Sequence, residues 1–241
     1  MPSHLSAILL GISLSLIPVS VAQAQTEAAA EVAERYISRG GGLLLSDTYT
    51  YDEGITERFD IDVPVRFRVY VPRFDGVTVR DFLLPDGGAF AAFQFTYVSD
   101  ETTEQGLFLE NFQVTTANIP MAAEADDPLQ MRADLAAQLL REQIFPSAIG
   151  AFPEGELLVL ERVELGNVPN AVQMIGSHIR PESGGRELVR AVIFPHPDQV
   201  ESLMAVSRIN LTLVPAVDAE TLAASITGHM MSEWEYLGLS E

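Results

Sequence analysis

The chain of 241 residues contains no cysteine and no lysine. The first absence removes disulfides, thiol nucleophiles, cysteine-ligated zinc and iron–sulfur clusters, so packing alone must stabilise the fold. The second removes Schiff-base chemistry and Ser–Lys catalysis. Positive charge is scarce. Fourteen basic residues, all arginine, stand against 34 acidic ones, for a net charge of −20. A field of that average sign repels nucleic-acid phosphate and anionic lipid headgroups, and neither is expected as a partner. The same acidity keeps an exported protein soluble, and it also suits cationic partners, divalent ions or a saline environment.

Catalytic signatures are missing too. G-x-S-x-G, S-x-x-K, H-E-x-x-H, the phosphate-binding loop and the calcium-loop pattern do not occur. His178, His196 and His229 are far apart and form no metal-ligand pair, so neither a metal nor a cofactor is expected. Gly40-Gly41-Gly42 comes after a helical stretch, where it reads as a cap and joint rather than a phosphate cradle. Glu124, Asp126 and Asp127 cluster just ahead of a helix, where acids complement the helix dipole. An exported hydrolase, using a Ser–His–Asp set or paired carboxylates assembled by folding, stays open as the alternative to a noncatalytic protein.

What is present begins with an address. An apolar run from Leu5 to Val21 leads to Ala22-Gln23-Ala24, a small-x-small site of the kind signal peptidase cuts. The run falls short of the roughly 20 apolar residues a membrane span needs, and Pro18 breaks it near its end. Residues 1–25 are therefore expected to be a signal peptide, with periplasmic or secreted location and no stable membrane insertion after cleavage. An uncleaved anchor is the other outcome. Residues 26–42 read as a helical arm and glycine linker, with Ala29, Val32, Ala33, Tyr36 and Ile37 on one stripe. Residues 43–241 read as one domain.

Within that domain the apolar period shifts toward two. Val65, Phe67, Val69 and Val71 alternate with Arg66, Arg68 and Tyr70. Phe93, Phe95 and Tyr97 define a second strand after the turn Pro85-Asp86-Gly87-Gly88; Phe108, Glu110, Phe112 and Val114 define a third beyond the loop Ser99 to Gly106. Asp127, Pro128 and Gln130 then open a helix with Leu129, Ala133, Ala136, Leu140 and Ile144 inward, widened by Leu135 and Leu139 and stopped by Pro146. Strands are expected from Leu157 to Leu165, Val172 to Ile179, Leu188 to Phe194 and Met204 to Val214. Turn chemistry at Asn167-Val168-Pro169-Asn170 and Ser183-Gly184-Gly185 separates them. Asp218 caps a terminal helix bearing Leu222, Ala223, Ile226, Met230, Trp234 and Leu237, with the single tryptophan as a core anchor.

This order of elements predicts an α+β domain: a mainly antiparallel sheet layered with amphipathic helices. From about Val63 to Leu237 the order and lengths resemble the PsbP/Mog1-like sandwich, chiefly through the helix Pro128-Leu-Gln-Met-Arg-Ala-Asp-Leu, the strands after it and the closing helix. That resemblance implies a binding or accessory role rather than catalysis, and no functional residue is carried over from it. The most suggestive polar rows are Arg66, Arg68 and Tyr70 on one strand, with Arg208, Asn210 and Thr212 on another. Arginine at alternate strand positions is suited to a carboxylate or other anion, and equally to acidic partners on the protein's own surface. The expectation is an exported noncatalytic protein holding a partner protein or small ligand, with Arg66, Arg68, Tyr70, Arg208 and Asn210 as its candidate contacts.

Overall fold

A computed structural model describes residues 30–31, 34, 46–59, 63–74, 76–84, 89–98, 106–121 and 124–239. The expected signal peptide lies outside these residues. So do the turn at 85–88, most of the loop 99–106, and the arm and linker apart from Ala30, Glu31 and Glu34, which are helical and exposed.

Alternation decides the first layer. In β2 (Phe67–Pro72) the side chains of Phe67, Val69 and Val71 are buried, while Arg68 and Tyr70 point outward. It pairs antiparallel with β1 (Ser46–Tyr51) on one side and with β10 (Glu235–Tyr236) on the other, giving a small three-stranded sheet. The short helix α1 (Glu53–Phe59) follows β1. A second sheet contains β3 (Val77–Leu84), β4 (Ala89–Tyr97), β5 (Leu107–Asn118), β6 (Glu156–Leu165), β7 (Val168–Ile179), β8 (Arg186–Phe194) and β9 (Glu201–Asn210). Its order is β3-β4-β5-β9-β8-β7-β6, antiparallel at every pairing. The α+β sandwich expected from the sequence is the observed architecture.

Each face of the large sheet buries a separate core. On one face lies the small sheet with the C-terminal helices α3 (Ala219–Ala223) and α4 (Ile226–Ser232), enclosing Phe67, Phe93, Phe112, Phe194 and Trp234. Trp234 is fully buried and stacks between Phe67 at 4.8 Å and Phe194 at 4.5 Å, the anchor expected of it. On the other face α2 (Pro128–Leu139) and the turn that follows it pack Ala133, Ala136 and Leu140 against Val172, Met174, Val189 and Ile193.

Several local readings are corrected. Leu129 is half-exposed, and the buried place on α2 beside Ala133 belongs instead to Arg132. Pro146 does not stop the coil. It opens a second wide turn, Pro146–Gly150, after Leu140–Ile144, and Ile149 is buried there. A π-type turn relaxes the clash between the proline ring and the preceding carbonyl that would break an α-helix. Val168 to Asn170 already belong to β7; the turn is Gly166-Asn167, with Gly166 at φ 58°. β9 ends at Asn210, whose side-chain oxygen accepts from the Thr212 amide to start a turn. The terminal helix is two helices: Ser225 interrupts it and caps α4 by accepting from the Gly228 amide. Gly228 passes so near Leu222 that a Cβ would sit 1.9 Å from its carbonyl oxygen.

Two buried ionic groups fasten these layers. Glu110 on β5 accepts from the Ile226 amide at 3.1 Å, the Thr227 amide at 2.9 Å and the Thr227 hydroxyl at 2.6 Å. Arg132 on α2 donates to the carbonyls of His196, Ile119 and Gln199.

Candidate ligand-binding site

The β7–β8 hairpin sets His178 opposite Glu187. On the next strands Val189 pairs with Arg208, and Arg208 with Asn111. These positions alternate onto the α2 face of the large sheet, past the end of the helical segment. A bulge between β4 and β5 adds a fourth wall. Phe95 pairs with Glu110 and Thr96 with Phe108, so Leu109 is the extra residue. Leu109 is buried in the core with Phe112, and Phe108 turns to the α2 face, against the simple alternation expected of that strand.

The result is a polar cavity of about 310 Å³ lined by Phe108, Asn111, Phe152, His178, Arg180, Pro181, Glu182, Glu187 and Arg208. Glu187 lies at its floor, 3% exposed. Arg208 approaches one carboxylate oxygen to 3.7 Å and Arg180 the other to 3.8 Å. Both separations exceed hydrogen-bond length, so the two guanidinium forks share one acid at a distance and keep donors for something else. Burying Glu187 is tolerable because two cations flank it. His178 Nε2 sits 3.2 Å from Glu187, out of line for a hydrogen bond, and neither ring nitrogen has a hydrogen-bond partner. Phe152 stacks on that imidazole at 4.4 Å, and Arg180 lies over the Phe108 ring at 5.2 Å.

The five residues singled out in the sequence fall in two places. Arg68 and Tyr70 lie outward on the small sheet with Arg66 just ahead of it; Arg208 and Asn210 lie across the core, on the α2 face of the large one. Arg66 pairs with Glu53 at 3.2 Å, both exposed. Arg68 contacts the Tyr70 hydroxyl at 3.3 Å and Glu235 at 3.0 Å. The Tyr70 hydroxyl first, then the Glu235 charge, raises the Arg68 guanidinium above its ordinary value. Acidic and hydroxyl groups of the same surface thus take up that row. Arg208 lines the polar cavity, while the Asn210 side chain is spent on the Phe108 carbonyl and the following turn. Sequence reasoning missed His178, Arg180 and Glu187. Counting outward from Ser183-Gly184 would have set His178 across from Val189; the observed register is centred one residue earlier, on Glu182-Ser183, and pairs His178 with Glu187.

A second cavity, about 320 Å³, opens on the opposite face of the large sheet between β6–β8 and the α3–α4 corner. Its walls include Leu158, Val159, Leu165, Ile175, Leu188 and Leu222, and its floor holds Arg190 and Gln173. Arg190 is 6% exposed, and burial pushes its guanidinium down to about 10, which leaves it cationic at neutral pH.

Among the described residues no group of three or more histidine, aspartate or glutamate side chains is placed to hold a metal ion. No described helix is long and apolar enough to cross a membrane.

No family model and no curated protein matches the chain. Among solved structures it is similar to the Ran-binding protein Mog1p of Saccharomyces cerevisiae, at 11% identity and a TM-score of 0.44 over 81% of this chain and 97% of that one. It is similar also to LpqN, involved in cell envelope biogenesis of Mycobacterium tuberculosis, at 13% identity and a TM-score of 0.40 over 78% and 88%. Both likenesses lie below the level at which a shared function follows.

Proposed function

We infer that this is an exported, noncatalytic binding protein that recognises an anionic group on a small ligand or partner protein. The observation carrying the reading is the pair Arg180 and Arg208, poised around one buried acid with unspent donors in an open cavity. In a chain of net charge −20, the lining sets Arg180 and Arg208 against Glu182 and Glu187, so charge is balanced here where the molecule as a whole is acidic. The lining contains no serine, threonine, tyrosine or cysteine, so the hydrolase alternative would rest there on His178, Glu182 and Glu187. Export rests on the leader-like run from Leu5 to Val21 and its small-x-small end.

The test is thermal denaturation with inorganic phosphate and with succinate, on the wild type and on Arg180→Ala/Arg208→Ala. The expected result is a concentration-dependent rise in Tm for the wild type that vanishes in the variant. A rise that persists in the variant, or no rise with either anion in the wild type, overturns the site. Mass spectrometry of the mature amino terminus from a periplasmic fraction tests export, with a new terminus near residue 25 expected.

A further inference from the structure

The apolar cavity on the other face has features the polar one lacks. Its walls are aliphatic, and two of its rim residues, Leu158 and Val217, are 49% and 79% exposed. At its floor, Arg190 Nε donates to Gln173 Oε1 at 3.0 Å, and Gln173 Nε2 donates to Glu161 Oε1 at 2.6 Å. Gln173 therefore stands between the arginine and Glu161, the acid among the described residues whose charge acts on it, and Glu161 itself is exposed to water. Of the Arg190 nitrogens Nε alone is bonded to a described residue, and the two terminal nitrogens keep access to solvent through the cavity. A guanidinium more than nine-tenths buried, with an unfilled fork on an aliphatic chamber, is costly to retain for packing alone.

We propose that this cavity binds a single-chain fatty carboxylate, its headgroup on the Arg190 fork and its alkyl chain along the aliphatic wall toward the Leu158–Val217 rim. The planar fork matches a carboxylate in two parallel bonds, which selects that headgroup over an alcohol. A volume near the lower end of ligand pockets, about 300–1,000 Å³, admits one chain rather than a two-chain lipid. Asp218, the other acid on the lining, is held as the N-cap of α3 by the Thr221 amide, and water reaches it. The site is independent of the Arg180–Arg208 cavity, which lies on the opposite side of the large sheet.

Calorimetric titration of the delipidated protein with decanoate and with decanol tests this. The wild type is expected to bind one decanoate at least about tenfold more tightly than decanol, the size of one charge-assisted bidentate contact. Arg190→Met is expected to abolish that preference while still taking decanol. Val217→Trp/Ala223→Trp, which fills the rim with bulk at exposed positions, is expected to weaken both ligands and remains informative if Arg190→Met does not fold. Arg180→Ala/Arg208→Ala is expected to leave the decanoate preference intact. Equal affinity for the two ligands, no decanoate binding, undiminished binding in the rim variant, or loss of the preference in the Arg180/Arg208 variant overturns the proposal.

Discussion

The two faces of the large sheet are fastened by opposite chemistry. On one, the buried acid Glu110 accepts from backbone amides and a hydroxyl at the start of α4. On the other, the buried cation Arg132 donates to carbonyls of the segments flanking β9. Both take backbone groups as counterparts, yet they are not equivalent. Removing an acceptor strands buried N–H groups, which proteins almost never leave unpaired. Removing a donor strands carbonyls, which tolerate it better. Burial also opposes Arg132 in its charged form, holding its guanidinium below the ordinary value, so part of what it contributes is offset by its own desolvation.

That asymmetry orders the outcomes. Glu110→Leu is expected to cost about 3–5 kcal/mol in chemical denaturation, because the Ile226 and Thr227 donors lose their acceptor inside the core. Arg132→Met keeps the apolar stem and is expected to cost less, about 1–3 kcal/mol. Equal costs, or the reverse order, would remove the distinction between the faces. The smallest effect concerns pH. His196, beside Arg132, accepts from the Asp198 amide through Nδ1, and its pKa is held below the usual 6.5, by desolvation first and also by the Arg132 charge. A lowered folded-state pKa means that the unfolded chain takes up the proton first. The contribution is therefore complete above about pH 6.5 and is lost as pH falls toward the folded value. His196→Asn retains an acceptor without titrating, so the Tm of that variant should fall less than the wild type's between pH 7 and about 5. Parallel curves would show that the histidine plays no part.

How far the chain could be read from its residues follows the same division. Alternation announced β2 and β4 plainly, since Phe67, Val69, Phe93 and Phe95 each have one dry face. Asp127 and Asp218 announced their helices because a cap is a local event. Failures came where a distant partner overrides the local pattern. The bulge that turns Phe108 outward depends on β4, and the break at Ser225 depends on Glu110, 116 residues from Ile226. The wide turn through Pro146 was illegible because proline ordinarily ends a helix. Of the polar cavity, Arg208 stood out as a rare arginine in a strand. Arg180 and Glu187 did not, being single charges near a turn until the hairpin register joins them.

One feature bears on how the protein is made. The small sheet gains its third strand, and the core its tryptophan, only from residues at the far end of the chain: the Arg68–Glu235 contact joins positions 167 residues apart. A polypeptide growing on the ribosome cannot close this body until residues 234–236 have been made, and contacts of such range form slowly. Until that segment arrives, the apolar side of β2 and the ring of Phe194 lack the tryptophan that covers them.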